Sequence, residues 1–350
     1  MKNILIYCLT FIFPYLLQAQ EHKDIKILSK EEVSKRLLPQ FSPLAFMPVT
    51  EVNLKHIKEE REKQGKLEIP KISNADSVDI IYKKIPGLNA GDPEIAIRIY
   101  KPKTSEKTPI FLWFHGGGYV YGSLNWDHQN CASIAVRSNV LVISVDYRFA
   151  PEHKYPAAVH DAYASFLWSI KNAPQLNADP SLVGVGGGSA GAGIAGSLVL
   201  VNREKKGPEI KLQALFFPPG NIDTTSVSMR ELWEIPGVKG ADIPILLSYY
   251  FGENYKNNLP KNAILGEIED YRNLPATYLA TCGVDPLRDA GLDIGIKLIE
   301  AGVPVELHNF PGYPHGMLPE RVFPELYHFL KTYYYLDHSL NKNSLAKSQD

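Results

Sequence analysis

The 350-residue sequence has little cysteine, with only Cys8, Cys131 and Cys282, and no excess of either charge, with Lys+Arg 37 against Asp+Glu 38. Three cysteines at such wide spacing form neither a disulfide framework nor a zinc ligand set. The ten histidines are scattered without His-Cys or HExxH spacing, so no metal and no cofactor is expected. A net charge of −1 argues against nucleic acid as a partner. Repeats and low-complexity tracts are lacking too. The N-terminal apolar run, residues 4–17, contains Pro14 and falls short of the ~18 residues that a spanning helix needs. Preceded by Lys2 and followed by Gln18-Ala19-Gln20, it reads as a signal peptide over residues 1–20. Leu17 fits the small-residue cleavage rule poorly. The mature chain is then exported, periplasmic or extracellular, without a transmembrane anchor, and Cys8 leaves with the signal.

What is present is an ordinary globular composition, 45% hydrophobic and 21% charged, which excludes disorder and collagen-like order. Residues 21–74 are polar and helix-like. Ser29 and Glu32 have capping-box spacing, and Thr50 is expected to open a second helical run that Gly65 stops. From Val78, VDIIYKKI and EIAIRIY read as an antiparallel pair. Apolar runs at 110–114, 140–145, 182–185, 212–217, 276–282 and 303–307 follow, mostly with helical stretches between them. That alternation indicates a mostly parallel sheet with helices on both faces. Residues 220–262 interrupt it, and a long insertion in a compact domain reads as a lid. Its aromatics Trp233, Tyr249 and Tyr250, with Tyr119, are expected to line a pocket. Residues 339–350 read as a flexible tail.

Chemistry concentrates in a few segments. Gly187-Gly188-Ser189-Ala190-Gly191 lies between an apolar strand and the helix-forming run IAGSLVLVNRE, the strand-turn-helix setting of a Gly-x-Ser-x-Gly nucleophile elbow. Small flanking residues are required by so sharp a turn, and a serine at the helix start aims the N–H of Ala190 at a developing oxyanion. His115-Gly116-Gly117-Gly118 follows the strand IFLWF, where glycines let backbone N–H groups approach a ligand closely. His115 itself reads as structural. A serine nucleophile needs a base and an orienting carboxylate. Asp285 follows the strand PATYLATC, and His315 follows VPVELHNF. Asp289 competes with Asp285 and reads better as an N-terminal helix residue; His308 competes with His315 and reads as a strand residue.

These motifs, with DYRFAPEHKYPAA at 146–158, DPLRD at 285–289 and HGM at 315–317, resemble the hormone-sensitive-lipase-like group, or family IV esterases, of the α/β-hydrolases. The resemblance covers roughly residues 75–335. It implies an α/β-hydrolase fold with an eight-stranded sheet, a catalytic domain over 75–338, and a helical cap assembled from 21–74 and 220–262. It further implies Ser189 as nucleophile, His315 as base, Asp285 as orienting acid, and the N–H groups of Gly116, Gly117 and Ala190 as the oxyanion hole. The activity implied is hydrolysis of short- to medium-chain acyl esters through an acyl-enzyme, with a small-molecule ester as partner. A deacetylase of acetylated sugars, an amidase or a drug-ester hydrolase would use the same residues, and a non-catalytic ligand receptor could share the fold. Two positions depart from the group's pattern: Gly188 stands where Asp is usual and Ala192 where Gly is usual. In the implied sheet order two strands separate the elements bearing Cys131 and Cys282, so both are expected to be free buried thiols.

Overall fold

A computed structural model describes residues 25–335. The expected signal peptide at 1–20 and the tail at 339–350 lie outside the described residues. The eight strands are β1 (Val78–Ile85), β2 (Ile95–Pro102), β3 (Thr108–Phe114), β4 (Leu141–Asp146), β5 (Ala178–Gly188), β6 (Leu212–Phe216), β7 (Ala276–Val284) and β8 (Val305–Pro314). They form one sheet in the order β1-β2-β4-β3-β5-β6-β7-β8. β1 and β2 pair antiparallel, as do β2 and β4; every pairing from β4 through β8 is parallel.

The sheet is parallel because its apolar strands are covered on both faces. All seven residues of β3 are buried. Between strands run α3 (His128–Ser138), α4 (Ala157–Leu176), α5 (Ala190–Glu204) and α8 (Arg288–Glu300), and α9 (Val322–Tyr335) follows β8. α3 and α4 both end on an asparagine in the left-handed region, Asn139 and Asn177, which stops each helix before the next strand. One apolar cluster joins Ile110, Leu112, Val185, Ile194 and Leu198 on the α4/α5 side. A second joins Phe111, Trp113, Ala132, Phe216, Tyr278 and Phe329 on the α3/α9 side. Cys131 and Cys282 are free and buried, as the sheet order implied.

Outside this core lie α1 (Lys30–Arg36), α2 (Leu54–Gly65), α6 (Val227–Glu231) and α7 (Asp242–Phe251). The capping box of Ser29 and Glu32 forms as expected on α1. For α2 the expected start is corrected: Asn53, not Thr50, caps it by accepting from the His56 N–H, and the helix ends at Gly65. Asn53 sits directly before the first helical residue, where its short amide reaches the third N–H; Thr50 lies a turn too early. The two separated segments meet each other. The Leu28 N–H donates to the Glu231 carbonyl, Arg36 forks onto the Glu231 carboxylate at 2.7 and 3.1 Å, and Val33 and Leu37 pack with Leu232 and Ile235.

Candidate active site

The sheet order explains why distant motifs converge. β3 lies beside β5 with Phe114 opposite Gly187, so the glycine loop after β3 abuts the turn after β5. β7 and β8 are parallel neighbours, and the loops at their carboxyl ends carry Asp285 and His315 to the same edge of the sheet.

Ser189 occupies the turn between β5 and α5 at φ 54°, ψ −123°, a conformation that L-residues rarely adopt. Its side chain makes no helix-capping bond and is free for other use. A Cβ on Gly187 or Gly191 would collide with the Phe114 carbonyl oxygen, so the small residues of the motif are dictated by the packing of the turn against β3. His315 Nε2 lies 2.9 Å from Ser189 Oγ, and His315 Nδ1 lies 2.7 Å from Asp285 Oδ2. Asp285 is fully buried, and its other oxygen accepts from the Leu287 N–H at 2.8 Å. A carboxylate accepting at Nδ1 fixes the proton there and leaves Nε2 to accept from the serine hydroxyl. Asp289 is elsewhere, accepting from the Ser228 N–H and from Arg288. His308 stacks on Phe310 and reaches neither Ser189 nor Asp285.

Gly117 (φ 115°), Gly118 (φ 58°) and Tyr119 (φ 66°) are three consecutive residues of positive φ. At Gly117 a Cβ would strike the Tyr121 carbonyl, so glycine is obligatory there. Gly116, Gly117, Ser189 and Ala190 border a single cavity of about 630 Å³. His115 is buried beneath the loop, stacks on Tyr147 at 4.5 Å and donates from Nδ1 to the Gly116 carbonyl. Burial lowers its pKa to about 4, so it is neutral and structural.

The loop is also held from outside the core. Arg61 of α2 donates to the carbonyls of Val120 and Ala150 at 2.6 Å each. The Tyr119 ring lies flat on Tyr250 of α7, with centroids 3.9 Å apart.

Of the aromatics expected to line the pocket, Tyr119 does so; Trp233, Tyr249 and Tyr250 do not. The helical period of α7 is the reason. Ile243, Leu246 and Leu247 face the cavity, and Tyr249 falls on another face. Tyr250 shares the inward stripe but is covered by Tyr119, and Trp233 packs beside Met229, Leu247 and Leu287. The aromatic walls come instead from Trp113, Trp126, Phe216, Phe217 and Phe323. Strand alternation was the available signal for Trp113, which points to the opposite face from Leu112 and Phe114 and sits at the carboxyl end of β3.

Gly188 acquires a reason. A Cβ there would sit 3.2–3.3 Å from the Phe217 ring, which in turn lies edge-on against the His315 imidazole at 4.9 Å. The ring occupies the room that a side chain at position 188 would need.

A family model for the alpha/beta hydrolase fold matches residues 111–319. Esterase LipI of Mycobacterium tuberculosis is 40% identical over 225 residues, spanning 63% of this chain and 70% of its own. Carboxylesterase NlhH of the same species is 35% identical over 230 residues, 65% of this chain and 72% of its own. Among solved structures, a bacterial heroin esterase superimposes with a TM-score of 0.78 at 31% identity, covering 86% of this chain and 99% of that one.

Proposed function

The chain belongs to the α/β-hydrolase fold family, and from that premise we propose that it is a serine carboxylester hydrolase of short- to medium-chain acyl esters. The observation that carries the mechanism is the unbroken line Asp285–His315–Ser189, at 2.7 and 2.9 Å, opening on an apolar cavity. Ser189 Oγ attacks the ester carbonyl while His315 Nε2 takes its proton. Asp285 keeps Nδ1–H in place and stabilises the imidazolium. The carbonyl oxygen gathers negative charge opposite the N–H groups of Gly116, Gly117 and Ala190, which cost no reorganisation because the turn and the glycine loop already hold them. His315 then protonates the leaving alkoxide, giving the alcohol and an acyl-serine. Water, deprotonated by the same imidazole, releases the acid and restores the serine.

The cap is supplied by the two segments 21–74 and 220–262, whose described parts meet through Arg36 and Glu231 and through Val33, Leu37, Leu232 and Ile235. Its Ile243, Leu246 and Leu247 favour an acyl or alkyl chain over a sugar. Residues 1–20 direct export, which N-terminal sequencing of the extracellular or periplasmic protein would reveal as a chain beginning near residue 21. The enzymatic reading is tested with p-nitrophenyl acetate and butyrate and with a fluorophosphonate probe. Covalent labelling lost in Ser189→Ala, together with a fall in turnover of about 10⁴-fold or more, is expected. A Ser189→Ala variant that turned over p-nitrophenyl acetate at the parent rate would overturn it.

A further inference from the structure

One charged group in the cavity takes no part in the reaction. Asp127 is the N-cap residue of α3, yet its carboxylate caps nothing: it accepts from no backbone N–H of the helix. It is turned instead toward β3, where Oδ2 accepts from the indole N–H of Trp113 at 2.8 Å, and Oδ1 lies 3.4 Å from the Asn130 amide nitrogen. Both Asp127 and Asn130 border the same cavity as Ser189. Arg98, the nearby buried cation, directs its two Nη groups to the Leu124 carbonyl, Asn125 and His128 and forms no ion pair with Asp127. Among the described residues, then, Asp127 is a carboxylate without a cationic partner. Burial pushes its carboxyl pKa up, against the two hydrogen bonds that favour the charged form. A bound cation would offset that desolvation.

The walls around it suit such a guest. Trp113, Trp126, Phe216 and Phe217 border the cavity. Aromatic faces with one carboxylate, in a space that is otherwise mostly apolar, attract a bulky, weakly hydrated ammonium and offer little to a compact, strongly hydrated one. We propose that Asp127 and the surrounding aromatic residues form a subsite for a quaternary or tertiary ammonium group, so that the enzyme prefers esters carrying such a cation away from the scissile bond. This substrate class rests on the ester-hydrolase reading above, and the binding arm of the test separates the two.

The test compares the parent with Asp127→Asn, which leaves Trp113 a carbonyl acceptor but removes the charge. Two isosteric pairs are used: acetylcholine against 3,3-dimethylbutyl acetate, and phenyl 4-(trimethylammonio)butanoate against phenyl 5,5-dimethylhexanoate. The first carries the cation in the alcohol, the second in the acid. In at least one pair the cationic-to-neutral ratio of kcat/KM is expected to fall about tenfold in Asp127→Asn, as befits one charge lost at short range in a partly desolvated site, and to rise in Asn130→Asp. Ratios indifferent to both substitutions in both pairs overturn the subsite. Phenyltrimethylammonium, titrated against tryptophan fluorescence, reads binding without turnover. Weakening by about tenfold in Asp127→Asn supports the subsite even if no ester is cleaved, in which case the hydrolase reading alone falls; equal affinity in parent and variant overturns the subsite.

Discussion

Gly188→Ala isolates the contact that distinguishes this elbow. The added Cβ would lie 3.2 Å from Phe217 Cε2 and 3.3 Å from Cζ, some tenths of an ångström inside ordinary contact. The ring must give way, because the backbone of Phe217 is held at φ 40° with its N–H on the Ala280 carbonyl at 2.6 Å. Its neighbours limit the escape: Phe216 is on one side at 6.5 Å and His315 on the other at 4.9 Å. Overpacking of this size costs at the low end of the usual range, about 1 kcal/mol, and the displaced ring presses on the imidazole that must keep its 2.9 Å contact with Ser189. If that cost reaches the transition state, kcat/KM for p-nitrophenyl butyrate falls about fivefold. Phe217→Ala removes both the support of His315 and the obstacle. The double variant Gly188→Ala/Phe217→Ala should therefore be no slower than Phe217→Ala alone, a coupling of about 1 kcal/mol in the cycle. Four kcat/KM values decide it. Strict additivity would refute the idea that position 188 acts through the ring.

The hydroxyl of Tyr250 has no hydrogen-bond partner among the described residues, so Tyr250→Phe should keep full activity and gain slightly in stability, whereas Tyr250→Ala, by unstacking Tyr119, should lower kcat about tenfold; a kcat equal to the parent's in Tyr250→Ala would remove the stack from the mechanism. His115 titrates near 4 when folded, against an ordinary 6.5, so the unfolded chain takes up its proton first as pH falls. Stability from this group is fully present above about pH 6.5 and is lost progressively down to about pH 4, by about 3 kcal/mol at most. Urea midpoints of His115→Asn should fall less steeply than the parent's over that range, and parallel curves would contradict the assignment. Burial pushes the thiols of Cys131 and Cys282 up, so neither should react with Ellman's reagent at pH 8 until the protein is unfolded; prompt labelling of either in the native state would show a path that the packing does not contain.

The strands and the candidate residues that the structure brings together, Ser189, His315 and Asp285, were legible in the sequence because the physical demands behind them are local. A nucleophile turn needs small residues at fixed offsets, whatever surrounds it, and near-continuous apolar runs between helices leave few alternatives to a covered parallel sheet. Asp285 could be separated from Asp289 on similar grounds, since the latter falls inside the first turn of α8. The pocket walls were not legible in this way. Whether Tyr249 or Leu246 faces the cavity depends on the rotation of α7 about its own axis, and the flanking stretch rich in Gly, Pro and Asn gives no periodic reference from which to fix it. Phe216 and Phe217 were hidden differently: consecutive residues of a strand should point to opposite faces, but Phe217 has already left β6 and turned at positive φ, so both rings reach the same cavity.

The same dependence on tertiary setting gives the proposed cap a part in shaping the loop after β3 as well as in covering the cavity. Three successive positive-φ residues in the loop after β3 form a conformation that an isolated chain would rarely hold, and at Tyr119 the penalty is not relieved by glycine. The core contributes His115 and the hydroxyl of Tyr147, which donates to the His115 carbonyl at 2.8 Å. The Ala150 N–H donates to the Tyr119 carbonyl at 3.0 Å, and further restraints come from the two peripheral segments: Arg61 on the Val120 carbonyl, the Leu246 side chain against Gly118, and the Tyr250 ring against Tyr119. Residues separated by nearly two hundred positions thus together hold one strained turn. A cap that only excluded water could be trimmed at the price of affinity; if the proposed oxyanion hole of Gly116 and Gly117 is right, one that also shapes their loop loses kcat when trimmed, because those N–H groups would act only with the loop already in place when charge develops.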